Sequence, residues 1–308
     1  MKQYLELVND VLTNGKRKPN RTGIDTISIT GAMLKFDMSE KFPLLTTKKM
    51  GVKSIFAELE MFIKGIQSKK FLQDRGCSIW NEWCNPLKVP YGHDEATKEK
   101  MKAEDDLGRI YGVQWNSFGK GKTWEYFDPS TDENGNVKML LSMRESVGIN
   151  QLKNVIETLK KNPLDRRMIV TAWNPMELDQ MALPPCHMIW QLVSDGEYVD
   201  LMFTMRSLDI FLGCGYDVAH YAMLLKLICA QVNMKPRTLI LSVADAHLYV
   251  NHLDQAKELL TRIPYDLPTL EVIKNKPDDE WTIWDWNYTD FKLENYQSHP
   301  AIKAQIAV

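Results

Sequence analysis

The sequence predicts an α+β fold in which helices flank a mixed β-sheet, with all of residues 1–308 in one domain. Two observations support this prediction. Helical and strand-like segments alternate irregularly along the chain, and several predicted strands are close neighbours of the hairpin type. The 308 residues, of which 44% are hydrophobic, are enough to bury one large core or two modest ones. Since the sequence contains no repeat or clear linker, we favour a single domain.

Helices are predicted where apolar residues recur at helical spacing. The first should end at Asn14-Gly15, the second at Gly65 and the third at Asn162-Pro163, because these residues commonly terminate helices. The predicted helices are residues 2–13, 52–65, 151–163, 217–232 and 251–262.

Strands are predicted where β-branched and aromatic residues are enriched and alternate with polar ones. The predicted strands are residues 26–38, 168–174, 186–194, 198–205 and 238–250. Residues 16–23, which are basic and contain a proline, should form a loop. The charged stretch near 92–106 and the region near 119–150, which has a turn-rich centre, should be surface insertions.

The charge pattern argues against two classes of partner. The net charge is -2 and acidic and basic residues are mixed, so neither a nucleic acid nor a membrane surface is expected to bind. No apolar run approaches the roughly 20 residues that cross a bilayer, and the first segment is amphipathic, unlike a signal peptide. The five cysteines are odd in number and irregularly spaced, which favours a reducing cytoplasm over a disulfide framework.

Cys186 is the candidate nucleophile. Two prolines precede it in LPPCHMIW and restrict the backbone, so the thiol should be held in a defined place. Nearby cations would favour the reactive thiolate, although a lone cysteine is more commonly a core residue. A metal site is not expected, because Cys186 and His187 are adjacent in a strand and point to opposite faces. The spacing of His247 and His252 is not that of a helical metal site either.

Three arginine clusters lie beside apolar strand sequence. They are Arg21-Thr22, Arg166-Arg167, and Arg206-Ser207 followed by Asp209. Guanidinium groups and a hydroxyl suit a phosphate monoester. A single arginine is more often a solvated surface residue, but three clusters make a convergent anion site a reasonable hypothesis.

Glu58 is a candidate for proton transfer. It lies within the apolar helix SIFAELEMF and shares a face with Ser54 and Phe62. From spacing alone, a partly exposed helix residue is the favoured interpretation.

A series of motifs in one order resembles the thymidylate synthase family nearly from end to end. The motifs are RTG at 21–23, FPLLTTKK at 42–49, the helix around Glu58, IWNEW at 79–83, YGVQW at 111–115, DRRMIVTAWNP at 165–175, MALPPCH at 181–187, RSLDIFLG at 206–213, DAHLYVNH at 245–252 and the carboxyl end HPAIKAQIAV. Any one of them is weak evidence, but their common order is highly specific.

The resemblance implies an enzyme that uses 5,10-methylenetetrahydrofolate, needs no metal, and forms a homodimer packed through its sheets. Cys186 matches the nucleophile that adds to C6 of a pyrimidine nucleotide. Glu58 matches the carboxylate that handles protons, and Tyr111 and His187 are placed with the catalytic residues.

The resemblance also implies the ligand contacts. The phosphate and sugar of the nucleotide would be held by Arg21, Arg206, Ser207, Asp209, His247 and Tyr249. The folate would contact Trp80, Trp83, Tyr111, Leu183, Asp209, Gly213 and the terminal Val308. Arg166 and Arg167 would reach across the dimer interface to the partner subunit's phosphate.

Asp217 is the informative departure from the family pattern. Where the family has Leu-Pro-Phe-Asn, residues 214–217 are Cys-Gly-Tyr-Asp, and Met205 replaces a glutamine. The family's asparagine reads a uracil. An aspartic acid can instead offer its O–H to N3 of cytosine and accept a hydrogen bond from the 4-amino group. The alternative role is an N-cap of the following helix.

Met205 and Asp217 together resemble the deoxycytidylate hydroxymethylases, phage enzymes used for DNA modification in the host cytoplasm. We therefore expect conversion of dCMP to 5-hydroxymethyl-dCMP. Residues 214–216 and His220 favour this product if they admit or activate water, whereas Trp80 and Val308 would allow a dry site and 5-methyl-dCMP. The resemblance is also compatible with methylation of dUMP, or with a non-catalytic nucleotide-binding dimer.

Overall fold

The computed structural model describes residues 1–20, 22–131 and 133–305. Its helices are α1 (Lys2–Asn14), α2 (Val52–Ile63), α3 (Lys70–Gln73), α4 (Glu95–Ala103), α5 (Tyr111–Ser117), α6 (Gln151–Lys161), α7 (Cys214–Val232) and α8 (Leu253–Thr261). Its strands are β1 (Lys16–Lys18), β2 (Thr26–Asp37), β3 (Gly121–Thr131), β4 (Val137–Ser146), β5 (Ile169–Thr171), β6 (His187–Ser194), β7 (Tyr198–Asp209), β8 (Lys235–Tyr249), β9 (Thr269–Val272) and β10 (Phe291–Glu294).

The central sheet has six strands in the order β1-β2-β8-β7-β6-β5. Strands β7 and β8 run parallel, and every other neighbouring pair in this sheet is antiparallel. Strands β3 and β4 form a separate hairpin, and β9 pairs with β10. The predicted α+β fold with a mixed sheet flanked by helices is therefore confirmed.

Helix α7 connects the two parallel strands and packs against both of them. Its sequence is apolar on every side, and 13 of its 19 residues are buried, as expected for a helix in the core. The helix ends at Asn233, which has the left-handed conformation (φ 56°) that commonly terminates helices. Helix α1 covers β2 and β8, and α2 packs against α5 and α7.

The loop predicted for residues 16–23 is wrong at its start, because residues 16–18 form β1. This strand pairs antiparallel with β2, with Lys16 opposite Ser28 and Lys18 opposite Thr26. All three of its residues are exposed, so their basic side chains are compatible with a strand at the sheet edge. Pro19 follows and lacks the N–H that would continue the pairing.

Other boundaries also differ from the prediction. Strand β7 continues four residues beyond its predicted end, to Asp209, because it remains paired with β8 as far as His247. Helix α7 begins at Cys214, three residues before its predicted start. The strand expected over 168–174 is only three residues long, because pairing with β6 extends only from Ile169 to Thr171.

The two regions predicted as insertions contain regular structure. Residues 92–106 include α4, whose N-cap Asp94 accepts a hydrogen bond of 2.9 Å from the backbone N–H of Thr97. Most of α4 is exposed, but Met101 is buried. Residues 119–150 include the β3–β4 hairpin. Among the residues that the structure describes, no helix is both long and apolar enough to span a membrane.

Candidate active site

The site lies where the amino end of β6 meets the carboxyl ends of the parallel strands β7 and β8. His187 pairs with Met205 across β6 and β7, and Asp209 pairs with His247 across β7 and β8. Cys186 directly precedes β6, so it lies at the same edge of the sheet. Residues distant in sequence are brought together because these three strands are neighbours in one sheet.

Two adjoining cavities open at this edge. They share Trp83, Leu183, Cys186, Ser207 and Asp209. The first cavity is mainly apolar and continues to Glu58, Ile79, Trp80, Tyr111, His187, Met205, Leu212, Gly213, Tyr216 and Asp217. The second continues to Lys18, Pro19, Asn20, Thr26, Arg206, Asp245, His247 and Tyr249. Cys186 lies on the boundary between the two.

Cys186 is half-buried and held from two sides. Its backbone N–H donates to the Tyr111 hydroxyl at 2.9 Å. The Arg206 guanidinium donates to the carbonyls of Pro184 (2.8 Å) and Pro185 (2.9 Å), and its Nη2 lies 3.8 Å from the Cys186 Sγ. A cation at this distance favours the thiolate, which is the nucleophilic form. Arg206 therefore orients the nucleophile in addition to lining the second cavity.

Glu58 is buried, so its interpretation as a partly exposed helix residue is wrong. Residues 55–63 of α2 are all buried, because neighbouring helices surround this part of α2. The Trp80 indole N–H donates to Glu58 Oε1 at 2.7 Å, and His220 Nδ1 lies 3.4 Å from Oε2. Glu58 also lines the first cavity, so it is placed to exchange protons with a ligand there.

His220 lies outside the lining of both cavities. It is almost completely buried, and its Nε2 has no hydrogen-bond partner among the described residues. Its Nδ1 faces the Glu58 carboxylate. His220 is therefore placed to act through Glu58, and not by direct contact with a ligand in the first cavity.

Asp217 lies in the first two turns of α7 and presents its carboxyl to the first cavity. The N-cap interpretation is wrong, because the helix begins at Cys214 and its start has no side-chain cap. In the described parts of the chain, no side chain or backbone group bonds the carboxyl. Burial, and secondarily the nearby Glu58 and Asp209 carboxylates, raise the pKa of Asp217 well above its usual value. A neutral acid at this position can donate a proton to a ligand.

His187 lines the first cavity as a neutral imidazole. Its Nδ1 is hydrogen bonded to the Tyr221 hydroxyl at 2.7 Å, and its ring stacks on Tyr111 with 4.1 Å between the centroids. Burial, with a smaller contribution from His220, lowers the pKa of His187 well below its usual value. The ring therefore packs in the wall without adding charge near neutral pH.

The second cavity is more polar than the first. Ser207, His247 and Tyr249, which were predicted to contact the phosphate and sugar of a nucleotide, line it together, and the Asn20 amide donates to the Tyr249 hydroxyl at 3.5 Å. Lys18 and Asp245 form an ion pair of 2.5 Å in the same wall. Asn20, Lys18 and Asp245 were not predicted as site residues, although each lies within four positions of a predicted site residue in the sequence.

The predicted pair Arg166 and Arg167 does not line either cavity. Arg166 and Arg167 are exposed, and Arg167 pairs with Asp165 at 2.6 Å. This pairing lowers the pKa of Asp165 to about 2. Arg21 and Val308, predicted to contact the nucleotide and the folate, lie outside the residues that the structure describes.

The apolar wall of the first cavity fits a flat heteroaromatic cosubstrate. Trp80 and Trp83 provide aromatic faces, and Leu183 and Gly213 extend the surface, so four of the residues predicted to contact the folate line one cavity. The Asp209 carboxylate accepts hydrogen bonds from the N–H groups of residues 211 (2.9 Å) and 212 (3.1 Å), which orders the turn before α7. Ile79, Leu212 and Tyr216 also line this wall. Neither Ile79 nor Leu212 was predicted to contact a ligand.

A family model and two relatives, each matching nearly the whole chain, indicate the same protein family. A family model described as thymidylate synthase matches residues 2–308. The chain is 40% identical over 321 residues to thymidylate synthase of Mesoplasma florum, with 100% of both chains covered. It is 39% identical over 320 residues to thymidylate synthase of Mycoplasma genitalium, again with 100% of both chains covered. Both cavities therefore fall within the matched region.

Proposed function

Because the chain belongs to the thymidylate synthase family and is a one-carbon transferase, we propose that it transfers a one-carbon unit from 5,10-methylenetetrahydrofolate to C5 of dCMP, giving 5-hydroxymethyl-dCMP. The single observation that carries the choice of dCMP is the Asp217 carboxyl in the first cavity, which has a raised pKa and no hydrogen-bond partner among the residues that the structure describes.

The base is selected by matching donors and acceptors. Cytosine has a hydrogen-bond acceptor at N3 and a donor at its 4-amino group, and a neutral carboxylic acid offers the complementary O–H and carbonyl oxygen. Uracil has the reverse pattern, which the carboxyl can meet only as a neutral acid with its proton on the other oxygen, and when Asp217 is ionised, uracil O4 is buried against a second acceptor. Cytosine N3 can instead take up the proton, so its pair with Asp217 is kept whether the proton is on the carboxyl or on the base. Such a mismatch discriminates strongly because the buried groups remain unpaired. Met205 also lines this cavity, and it supports the assignment because its thioether is only a weak acceptor where the family pattern has a glutamine amide.

The chemistry begins at Cys186. Its thiolate adds to C6, the S–C6 bond forms, and the C5–C6 π electrons move through C4 toward N3. The Asp217 O–H, at N3, supplies the proton that neutralises this charge. C5 is thereby made nucleophilic and bonds to the methylene carbon that the folate supplies.

Glu58 handles the next proton. C5 loses its hydrogen to the Glu58 carboxylate, directly or through one water, and the bond between the methylene group and the folate nitrogen breaks. The folate nitrogen takes up that proton as tetrahydrofolate leaves. Water adds its hydroxyl group to the exocyclic carbon, and its released proton replaces the one taken up by the other folate nitrogen when the methylene bridge opened. N3 returns its proton to Asp217 as the Cys186 thiolate leaves, which restores the C5–C6 double bond. One water is consumed, and no oxidant is needed.

Methylation of dUMP is the second candidate, and the names of both relatives favour it. Methylation of dCMP is the third. It shares the Asp217 argument but requires hydride from the folate in a site that excludes water. Trp80 bonded to Glu58 supports a closed wall, and the position of His220 outside the cavity lining weakens its role in admitting water.

The assembly is part of the proposal. Arg166 and Arg167 are exposed and do not line either cavity of their own chain, which is compatible with a homodimer in which each pair reaches the partner's phosphate. Substituting both by alanine should raise the KM for the nucleotide without dissociating the dimer.

The decisive experiment offers dCMP and dUMP separately, each tritiated at C5, with methylenetetrahydrofolate. Faster tritium release from dCMP is expected, together with a product mass that corresponds to a hydroxymethyl group. Faster release from dUMP would establish the second candidate, and a methyl mass from dCMP the third. No release with either nucleotide, and no covalent adduct of 5-fluoro-dCMP with Cys186, would indicate a non-catalytic nucleotide-binding dimer.

A further inference from the structure

Lys69 lies behind the tryptophan wall with its side chain almost completely buried. Its ammonium group donates three hydrogen bonds, all to backbone carbonyls: Asn81 at 3.1 Å, Trp83 at 3.1 Å and Met101 at 2.7 Å. A lysine has three donors, so every one is used. The ammonium therefore joins the segment that carries Trp80 and Trp83 to helix α4.

The contact with α4 is at its carboxyl end. Met101 is in the last turn, where backbone carbonyls lack partners within the helix, and it is the one residue of α4 that is buried. A cation there also interacts favourably with the helix dipole. Helix α4 is thus anchored at its end, although most of its surface is in solvent.

Backbone contacts fix Lys69 itself in place. Its N–H donates to the carbonyl of Asp105 at 2.9 Å, and the hydroxyl of Ser68 donates to the Asp105 carboxylate at 2.7 Å. Burial lowers the pKa of Lys69, while Cys84 and Asp105 partly oppose the shift. No carboxylate in the described residues forms an ion pair with it, so its charge is balanced mainly by carbonyl dipoles.

Resting on the proposed folate site, we propose that Lys69 is a positioning residue. It fixes the backbone of residues 81–83 and so holds Trp80 and Trp83 in the geometry that the folate and Glu58 require. The segment near 92–106 was expected to be a surface insertion. Because Lys69 bonds it to residues 81–83, this segment also supports the wall that faces the folate. Lys69 itself lines neither cavity, and of the two tryptophans that it positions only Trp83 also reaches the second cavity, so nucleotide binding should depend on Lys69 less than folate binding does.

The kinetic test compares Lys69→Met with Lys70→Met. Lys70 is the adjacent lysine, but it is exposed and pairs with Asp74 at 3.0 Å, so it is a matched control. Displacing reactive groups by about 1 Å can cost up to about 100-fold. We expect Lys69→Met to raise the KM for methylenetetrahydrofolate about tenfold and leave the KM for the nucleotide within about twofold. Both constants are measured with whichever nucleotide the wild type converts, so the result does not depend on the choice of base.

A second measurement keeps the test independent of turnover. Amide hydrogen exchange of full-length Lys69→Met should increase in residues 79–85 and 95–103 together, with little change in β7 and β8, and Lys70→Met should match the wild type. Lys69→Gln, which retains two donors, should give an intermediate result in both measurements. An unchanged KM for the folate, or equal increases in both KM values, would mean that Lys69 is structural only. Increased amide exchange in one of these two segments without the other would contradict the proposal that Lys69 connects them.

Discussion

The Trp80 indole nitrogen and the Glu58 carboxylate are joined by a buried hydrogen bond of 2.7 Å. The bond connects the aromatic wall of the first cavity to the group that we propose removes the C5 proton. A shift of the wall is therefore transmitted directly to Glu58. Binding of the folate and proton transfer should respond together when this wall is disturbed.

Trp80→Phe tests this connection, because phenylalanine keeps an aromatic ring but loses the N–H donor. A hydrogen bond to a charged group contributes about 1.5–3 kcal/mol, so proton removal should slow by about 10- to 100-fold. Tritium release from C5 measures this rate. Trp83→Phe is the control, since the Trp83 ring stacks on Tyr91. Equal rates in Trp80→Phe and the wild type would contradict the assigned role.

Asp217→Asn should reverse the preference between the two nucleotides. The amide presents an N–H donor and a carbonyl acceptor that suit uracil, and it has the same size as the acid. We expect the ratio of kcat/KM for dCMP to that for dUMP to fall by about 1,000-fold or more. Competition between the two nucleotides in one reaction measures the ratio directly. An unchanged ratio would refute base reading by Asp217.

Stability should also depend on pH through Asp217. A carboxyl with a raised pKa in the folded chain binds more protons folded than unfolded, so stability falls as pH rises. The loss begins near pH 4, where unfolded aspartate titrates, and continues to the folded-state pKa at a slope of at most about 1.4 kcal/mol per pH unit. Asp217→Asn lacks this cost, so its Tm advantage over the wild type should grow as pH rises from about 4 toward the folded-state pKa of Asp217.

The control for the pH experiment is Asp165→Asn. Its pKa is lowered to about 2, mainly by hydrogen bonds from Arg167, so it lacks the destabilising ionisation expected for Asp217. The Tm difference between Asp165→Asn and the wild type should not become more favourable to the variant over the same pH range. A constant Tm difference for Asp217→Asn would mean that the carboxyl is ionised throughout.

Arg206→Lys should reduce the reactivity of Cys186. The guanidinium bonds the carbonyls of Pro184 and Pro185 while contacting the sulfur, and a lysine ammonium cannot reproduce this fork. Alkylation of Cys186 by iodoacetamide should slow by about tenfold. The other four cysteines are buried, so alkylation of the native protein reports mainly on Cys186.

Arg237→Lys is the matched control for Arg206→Lys. Its guanidinium pairs with Asp195 and Asp200, both at 2.6 Å, away from the two cavities. Cys186 of the Arg237→Lys variant should be alkylated at the same rate as Cys186 of the wild type. If Arg206→Lys also reacts at the wild-type rate, then Arg206 does not favour the thiolate.

Hydrophobic spacing was sufficient to predict the order of the main elements, because helices and strands that bury one face have apolar residues at a regular spacing. The prediction failed where pairing with a neighbouring strand, and not the local sequence, determines the structure. The strand β1 contains the polar residues Lys16–Lys18 and forms because β2 offers an unpaired edge. The short β5 follows from limited pairing with β6, which local sequence does not encode.

Motifs predicted most of the candidate site, including Cys186, Trp80 and Asp217, because these residues lie in ordered, recognisable segments. Glu58 was uncertain from spacing alone, since burial on every side of α2 comes from α5 and α7, which are distant in sequence. Lys69 had no sequence signal. Its three partners are carbonyls, and any residue type could supply them.

Helix α7 carries Asp217 near its start and is also the crossover between β7 and β8, the two strands whose ends line the second cavity. In the proposed function, the same helix therefore determines both the position of the group that reads the base and the spacing of the groups around the sugar. A substitution that tilts α7 to suit a different base would disturb the pentose as well. New base preferences should consequently arise by exchange of side chains at position 217 with the backbone left in place.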